Sequence, residues 1–464
     1  MEPRPWRTLA PVPSAASTAP PLRTRSILSF WTPLAATWLM MAIEGPYVAA
    51  IIARLPDATR NLAAYGVAFS FAFMAEAPVL MMMTTANALV ADRRSFLALR
   101  RFGFRLNLAL SAAMAIGITP PVFRFLTDRL IGLPPDLAHL THVATSALVL
   151  WPAAIGYRRF YQGILVRHHM PRRVAYGTLV RLGSMSVTAA GLAMLTALPG
   201  AYIGSIALGG GVVAEAAASR WMARHIVARL LAEAGPSGGV PISMREVTRF
   251  YVPLALTSLL TIVVNPLVTF FLGHSRSPVE SLAVLPVVTG FVFVFRSGAI
   301  AYQEVAVALS GNEPQRDRRI ARVAGQLAGL SALTLCGVLF TPLARVYFID
   351  VSGLTEALAA FATWPARMLA VVPALDYLVS LQRARFVLLE RTRVITASTL
   401  AEGAAILATL AVGIGALDLV GAVAATCAIL AGRVCGNVVL VSVAVAGRKQ
   451  ARDLPIDLAD IESE

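Results

Sequence analysis

The chain has 464 residues, 57% of them hydrophobic and 14% charged, with a mean hydropathy of +0.70. A soluble domain carries about 25% charged residues, so a water-soluble enzyme is excluded as the reading of most of this chain. The net charge of +15 does not point to nucleic acid, because the basic residues sit in short turns between apolar runs.

Residues 1–26 are rich in Pro, Ala, Ser, Thr and Arg, with Glu2 the only acid. They read as a disordered cytoplasmic tail, with a targeting peptide as the alternative. A membrane span needs about 20 largely apolar residues. Hydropathy predicts twelve: 28–53, 62–90, 102–127, 142–166, 174–196, 200–228, 248–273, 281–310, 320–348, 360–388, 394–416 and 418–446. The first six form an N-terminal bundle over 27–228 and the last six a C-terminal bundle over 248–447. A cytoplasmic linker over 229–247 joins them, with a flexible Gly/Pro/Ser stretch from Glu233 to Pro241. A second cytoplasmic tail follows over 448–464. The predicted fold is an all-α polytopic membrane protein.

Charge sets the expected orientation. One set of alternate loops and tails carries 25 Arg or Lys, in the N-terminal tail, 91–105, 167–173, 224–249, 316–322, 391–393 and the C-terminal tail. The other set carries six: Arg54, Arg60, Arg124, Arg129, Arg276 and Arg345. Positive charge stays inside, so both termini are expected in the cytoplasm.

The chain also repeats itself. Phe30-Trp31-Thr32-Pro33-Leu34-Ala35-Ala36-Thr37 recurs as Phe250-Tyr251-Val252-Pro253-Leu254-Ala255-Leu256-Thr257, with five identities in eight at an offset of 220. At the same offset Pro46 meets Pro266, Leu62-Ala63 meets Leu282-Ala283, and Phe71 and Phe73 meet Phe291 and Phe293. Tyr157, Gln162 and Arg173-Val174 meet Tyr377, Gln382 and Arg393-Val394. Six spans per half is an even number, so the halves share one orientation. The repeat is parallel, about an axis along the membrane normal, with a substrate site expected where the halves meet.

No GxxxxGK[ST], H-E-x-x-H, CxxC or suitably placed G-x-S-x-G is present. Cys336, Cys427 and Cys435 all lie in apolar runs and make no disulfide framework or metal spacing. His168-His169 reads as a solvated pair in a basic loop. The expectation is a non-enzymatic protein with no cofactor and no metal.

What remains is a set of ionisable residues at bilayer depth, where charge is costly and a functional role is the default hypothesis. Glu44, beside Gly45-Pro46, is expected at a loosened turn of helix 1. Its counterpart is Val264, beside Asn265-Pro266, so the breaker repeats and the acid does not. Glu76 and Arg296 occupy equivalent positions in helices 2 and 8 and are expected to face one another across a gating cleft. Arg296, Ile300 and Glu304 share a face, with Arg296 and Glu304 about 12 Å apart along it. Asp376 and Arg383 share a face of helix 10, which also carries Arg367. Arg158, Arg159, Arg181, Glu215, Glu402 and Arg433 complete the set, about half of them expected as structural pairs. The set leans basic, as a vestibule for an anionic solute would.

Leu62-Ala63-Ala64-Tyr65-Gly66-Val67-Ala68-Phe69-Ser70 resembles the LAxYGxAxS start of the second helix in the progressive ankylosis (ANK) family. The segments opening at Phe30 and Phe250 resemble that family's helix 1 and helix 7 openings, and the acid of its first helix falls at Glu44. The resemblance covers most of the chain in topology, with sharp motifs only around 30–70 and 250–310. It implies membership of the multidrug/oligosaccharidyl-lipid/polysaccharide (MOP) flippase superfamily, with its MATE-like pair of six-helix bundles around a V-shaped cleft. It also implies export of small organic anions such as citrate, nucleotide or pyrophosphate. Where the family has an Arg before the helix 7 proline this chain has Asn265, which puts that substrate choice in question. The basic set, arginine but for Lys449, suits a bacterial inner membrane.

The expected mechanism is alternating access. Arg296, with Arg383 or Arg158 and with Asn265 nearby, neutralises the anion, while Glu44, Glu76, Glu304 and Asp376 couple or gate, with H+ or Na+ as coupling ion. A lipid-linked precursor flippase or MATE-type cation exporter is the alternative within the superfamily. A non-transport scaffold is the alternative outside it.

Overall fold

The computed structural model describes residues 23–168, 170–232, 244–310, 314–389 and 391–453. His169 and most of the expected linker and tails therefore lie outside the described residues. The first half contains α1 (Thr24–Ala53), α2 (Ala58–Leu89), α3 (Arg93–Gly117, continued after a bend by Pro120–Ile131), α4 (Pro135–Arg167), α5 (Pro171–Leu195) and α6 (Gly200–Met222). A short helix, Arg224–Ala232, follows. The second half contains α7 (Met244–Ile262 and Val264–Gly273), α8 (Pro278–Leu309), α9 (Pro314–Leu339), α10 (Glu356–Leu388), α11 (Thr392–Gly415) and α12 (Gly421–Asp453).

Among the described residues ten of these helices are long and apolar enough to cross a membrane, or eleven when bent α3 counts as one. The chain is therefore a multi-pass membrane protein. The count falls short of the predicted twelve because α7 is divided at Val263. Its first piece opens with charges at Arg245, Glu246 and Arg249, and its second has only ten residues. At the C-terminal end α12 runs on to Asp453, so the described start of the segment expected as a tail is helical.

Proline explains most of the breaks. Its ring lacks an N–H and pushes the preceding residue out of the helical region. α3 turns by 70° at Thr119-Pro120-Pro121. α4 and α10 are each interrupted and restart at Trp151-Pro152 and Val372-Pro373, with proline in the first turn where its missing donor costs nothing. α1 is different. It continues through Pro33 and Pro46, so the break expected beside Glu44 does not occur in helix 1. It occurs in α7, where the Asn265 side chain donates to the Ile262 carbonyl (3.2 Å).

The element order runs twice, with a step in register. α1 and α2 recur 220 residues on, at Met244 and Pro278. Beyond the α2–α3 loop the offset is 221: Pro135, Trp151–Arg167 and Gly200 recur as Glu356, Val372–Leu388 and Gly421. The backbone follows the same rule. Asp57 and Ser277 have left-handed φ of 56° and 51° before α2 and α8, while Gly132 and Gly353 take 77° and 74° before α4 and α10.

The halves share one apolar core, which includes Leu62 and Val67 of α2 together with Val284 and Val288 of α8. At the arginine-rich end each half's first helix crosses to the other half. Trp31 Nε1 of α1 donates to the Gly298 carbonyl of α8 (2.9 Å), and Ile27 packs with Tyr302 and Tyr377. In mirror fashion, the Tyr251 hydroxyl of α7 donates to the Pro78 carbonyl of α2 (2.5 Å), and its ring packs edge-on against Phe102. Both donors and both acceptors are related by the 220-residue offset. At the other end the Arg54 guanidinium donates to the Asp350 and Val351 carbonyls (2.6 and 2.8 Å), and mid-span Thr269 bonds Ser70 (3.1 Å).

The start of α3 is fixed by a capping box. The Ser95 N–H donates to Asp92 Oδ1 (2.8 Å), and Ser95 Oγ accepts from the Asp92 N–H. The first of these bonds holds the Asp92 carboxyl below the ordinary carboxylate range. The cap's contribution is complete above the ordinary carboxylate pKa and is lost as pH falls through the lowered folded value. Asp92→Ala is expected to cost about 1 kcal/mol, and Asp92→Asn to keep most of the cap without its pH dependence. Thermal melts of the purified protein between pH 3 and 7 check both.

Candidate functional site

The buried charges form two networks, one inside each half. In the first half Glu215 of α6 takes Arg158 of α4 in an ion pair and accepts from Gln162 Nε2 (3.0 Å). Arg181 of α5 lies with its Nε 3.4 Å from Glu215 and pairs through its terminal nitrogen with Glu44 of α1. Small residues make room: at Gly211 of α6 a Cβ would stand 3.1 Å from the Arg181 carbonyl. This network is sealed, with Arg158 and Arg181 each 5% and Glu215 1% exposed in the side chain. Glu76 lies nearby, at the 3₁₀ break of α2. Its carboxylate accepts from Trp151 Nε1 (2.6 Å), with the Arg159 charge beside it.

In the second half Asp376 of α10 pairs with Arg296 of α8 and with Arg433 Nε of α12 (2.9 Å). Arg433 also reaches Glu402 of α11 (3.2 Å). Arg383 lies 3.9 Å from Glu402 and donates to Thr399 Oγ1 (3.3 Å). Beside it Gln382 donates to Asn437 (3.2 Å). Arg296 and Arg433 are each 19% exposed and Arg383 is 24% exposed, so this network is open where the first is closed.

The structure brings together Arg296, Arg383 and Asp376 in one network, and Glu44 and Arg158 in the other. It does not pair Glu76 with Arg296. Those positions are equivalent in the repeat, but Glu76 turns toward α4 and Arg296 toward α10, each into its own half. Glu304 is exposed with no ion-pair partner among the described residues, and Asn265 is exposed at the α7 break. Arg367 donates to the Leu339 carbonyl (2.9 Å), outside both networks.

Sequence reasoning missed Trp151 as the partner of Glu76, Thr399 as the partner of Arg383, and the Trp31 and Tyr251 crossings. The last pair carried a signal, since an aromatic with a polar hydrogen recurs at that position in both halves. The register step also reveals an inversion: at an offset of 221, Arg181 corresponds to Glu402 and Gln162 to Arg383.

No family model matches the sequence, and no curated protein matches it. Solved structures do match over nearly the whole chain. An inward-facing multidrug resistance MATE family transporter of the MOP superfamily aligns with a TM-score of 0.67 at 14% identity, covering 91% of this chain and 98% of that one. The lipid II flippase MurJ, in an inward closed conformation, aligns with a TM-score of 0.69 at 11% identity, covering 90% and 87%. A MOP superfamily transporter from Pyrococcus furiosus, described by the reverse polarity of its binding pocket, aligns with a TM-score of 0.57 at 14% identity, covering 94% and 99%. At these identities the likeness establishes architecture: the chain has the fold shared by MOP-superfamily transporters and MurJ.

Proposed function

We propose that this protein is a membrane transporter that exports small organic anions, of the citrate, nucleotide or pyrophosphate class, by alternating access between its two halves. The progressive ankylosis family is the branch of the superfamily that this reading favours. The observation that carries it is the C-terminal network, where three guanidiniums converge on two carboxylates and each keeps 19–24% of its side chain exposed. Such groups grip carboxylate and phosphate oxygens.

In this reading Arg296 and Arg383 meet the anion as the halves part. Arg158, sealed against Glu215, holds the first half together instead. Glu44 ties α1 to its own half through Arg181 while Trp31 ties the same helix to the other half. A change of partner at Glu44, by H+ or Na+ binding, therefore bears on the arginine-rich closure. Both termini lie in the cytoplasm and the membrane is a bacterial inner membrane. The two transporting domains are 27–228 and 248–447, and Asn265, Glu76, Glu304 and Asp376 remain candidates for binding and gating.

Efflux from proteoliposomes loaded in turn with labelled citrate, pyrophosphate, ATP and a cationic dye tests the proposal. Anion efflux is expected from the wild type, reduced at least tenfold by Arg296→Ala. Movement of the dye alone would overturn it in favour of a multidrug exporter.

A flippase reading has one observation in its favour. An apolar groove of about 330 Å³ opens sideways between α10 and α12, along Leu375, Leu378, Val434 and Val438, and reaches Asn437 beside the basic network. Such a groove suits an acyl chain whose headgroup enters the cleft. A fluorescent lipid-linked diphosphate translocated in place of the free anions would select it.

A further inference from the structure

The two networks differ in charge balance. In the first half the groups close enough to act on one another are Glu44, Glu76 and Glu215 with Arg158, Arg159 and Arg181, three against three. In the second half they are Arg296, Arg383 and Arg433 with Asp376 and Glu402, three against two. An uncompensated guanidinium at membrane depth is costly, and arginine does not relieve the cost by shedding its proton.

The deficit falls on one residue. Asp376 is shared by Arg296 and Arg433, and Glu402 sits closer to Arg433 (3.2 Å) than to Arg383 (3.9 Å). Arg383 is left with that longer Glu402 contact and the Thr399 hydroxyl (3.3 Å), and its buried Nε, like those of Arg433, Arg158 and Arg181, makes no hydrogen bond. Its counterpart in the first half is the neutral amide of Gln162. This position thus carries a charge that the second half does not match with an acid.

We propose that Arg383 anchors one carboxylate or phosphate group of the transported solute, which supplies the negative charge the C-terminal network lacks. Naming that ligand as cargo rests on the anion-transport reading, whereas the charge deficit does not.

The test is thermal melting of the purified full-length protein in nanodiscs, titrated with citrate or pyrophosphate against chloride at equal ionic strength. The wild type is expected to gain a saturable rise in melting temperature. Arg383→Gln is expected to weaken the half-saturating concentration at least tenfold. Thr399→Asp places a carboxylate where Arg383 already reaches. This variant is expected to melt above the wild type without anion and to lose the response to it. A Thr399→Asp protein that responds like the wild type would overturn the inference, as would an undiminished response in Arg383→Gln. The proteoliposome assay separates the two readings. Stabilisation lost in both variants, with no efflux of any anion, supports the site and overturns only transport. Efflux and stabilisation that both survive Arg383→Gln overturn the site and leave transport standing.

Discussion

Glu215→Gln is expected to be the most destabilising single change in the first half, at about 3–5 kcal/mol. The wild-type carboxylate serves Arg158, Gln162 and Arg181 at once, in a place where its own side chain is 1% exposed. Removing its charge takes from the buried Arg158 the acid it pairs with and leaves Arg181 paired with Glu44. A domain's whole stability is about 5–15 kcal/mol, so the loss should appear as a collapse of the monodisperse yield in detergent and a sharply lower melting temperature. The companion variant fixes the cause. Breaking a buried pair is costly because a charge is stranded, whereas removing both partners is often close to neutral. Glu215→Gln combined with Arg158→Met should therefore recover much of the loss. A Glu215→Gln protein with wild-type yield and melting would show that the network does not hold α4, α5 and α6 together.

How much of this was legible in the sequence depends on what a linear pattern encodes. Helix existence was, because an apolar run of the right length is a direct requirement of the bilayer. The pairing of Trp31 with Tyr251 as equivalent positions was also legible, since the repeat around Pro33 and Pro253 fixes the register there. The direction in which a side chain leaves its helix was not. Glu76 and Arg296 hold equivalent positions along their helices, yet position is silent about azimuth, and each turns into its own half. The register step was hidden for another reason. One extra residue between α8 and α9 is invisible in an Ala/Leu/Val background, and the identities Tyr157/Tyr377 and Gln162/Gln382 favour an offset of 220. The helix bounds give 221, and only at that offset does Arg181 fall on Glu402 and the reversal of charge between the halves emerge. The α7 break was anticipated at the right residues but in both halves. Pro46 differs from Pro266 in that α1 is clamped on both sides of it, by Glu44 to α5 and by the packing of Val48 and Ile52 in the shared core.

Bulky replacements of two glycines at opposite ends of the α1/α2–α8 contact are expected to push the protein in opposite directions. At Gly298 an added Cβ would stand 2.6 Å from the Tyr377 hydroxyl and 2.9 Å from the Trp31 ring. At Gly66 it would stand 2.9 Å from Pro286 Cγ and 3.1 Å from the Leu282 carbonyl. Each site has at least one separation below 3.0 Å, shorter than real Cβ atoms show, so the neighbours must move. Overpacking of this kind costs roughly 1–3 kcal/mol, and a bistable interface answers by changing state, a shift of roughly 5- to 150-fold in the ratio of closed to open. Gly298→Val wedges α1 from α8 at the arginine-rich end, breaking the Trp31 crossing. Gly66→Val wedges α2 from α8 at the other end. Reporter cysteines at Ala299 and Leu282, both buried in the wild type, read the outcome once Cys336, Cys427 and Cys435 are replaced by alanine. Gly298→Val should raise labelling at position 299 and leave 282 protected; Gly66→Val should do the reverse. Under the proposed transport function the cycle needs both closures in turn, so each variant should also lose efflux by at least tenfold while keeping its yield. Identical labelling patterns in the two variants, or full efflux with either end wedged open, would mean that these contacts are packing and not gates.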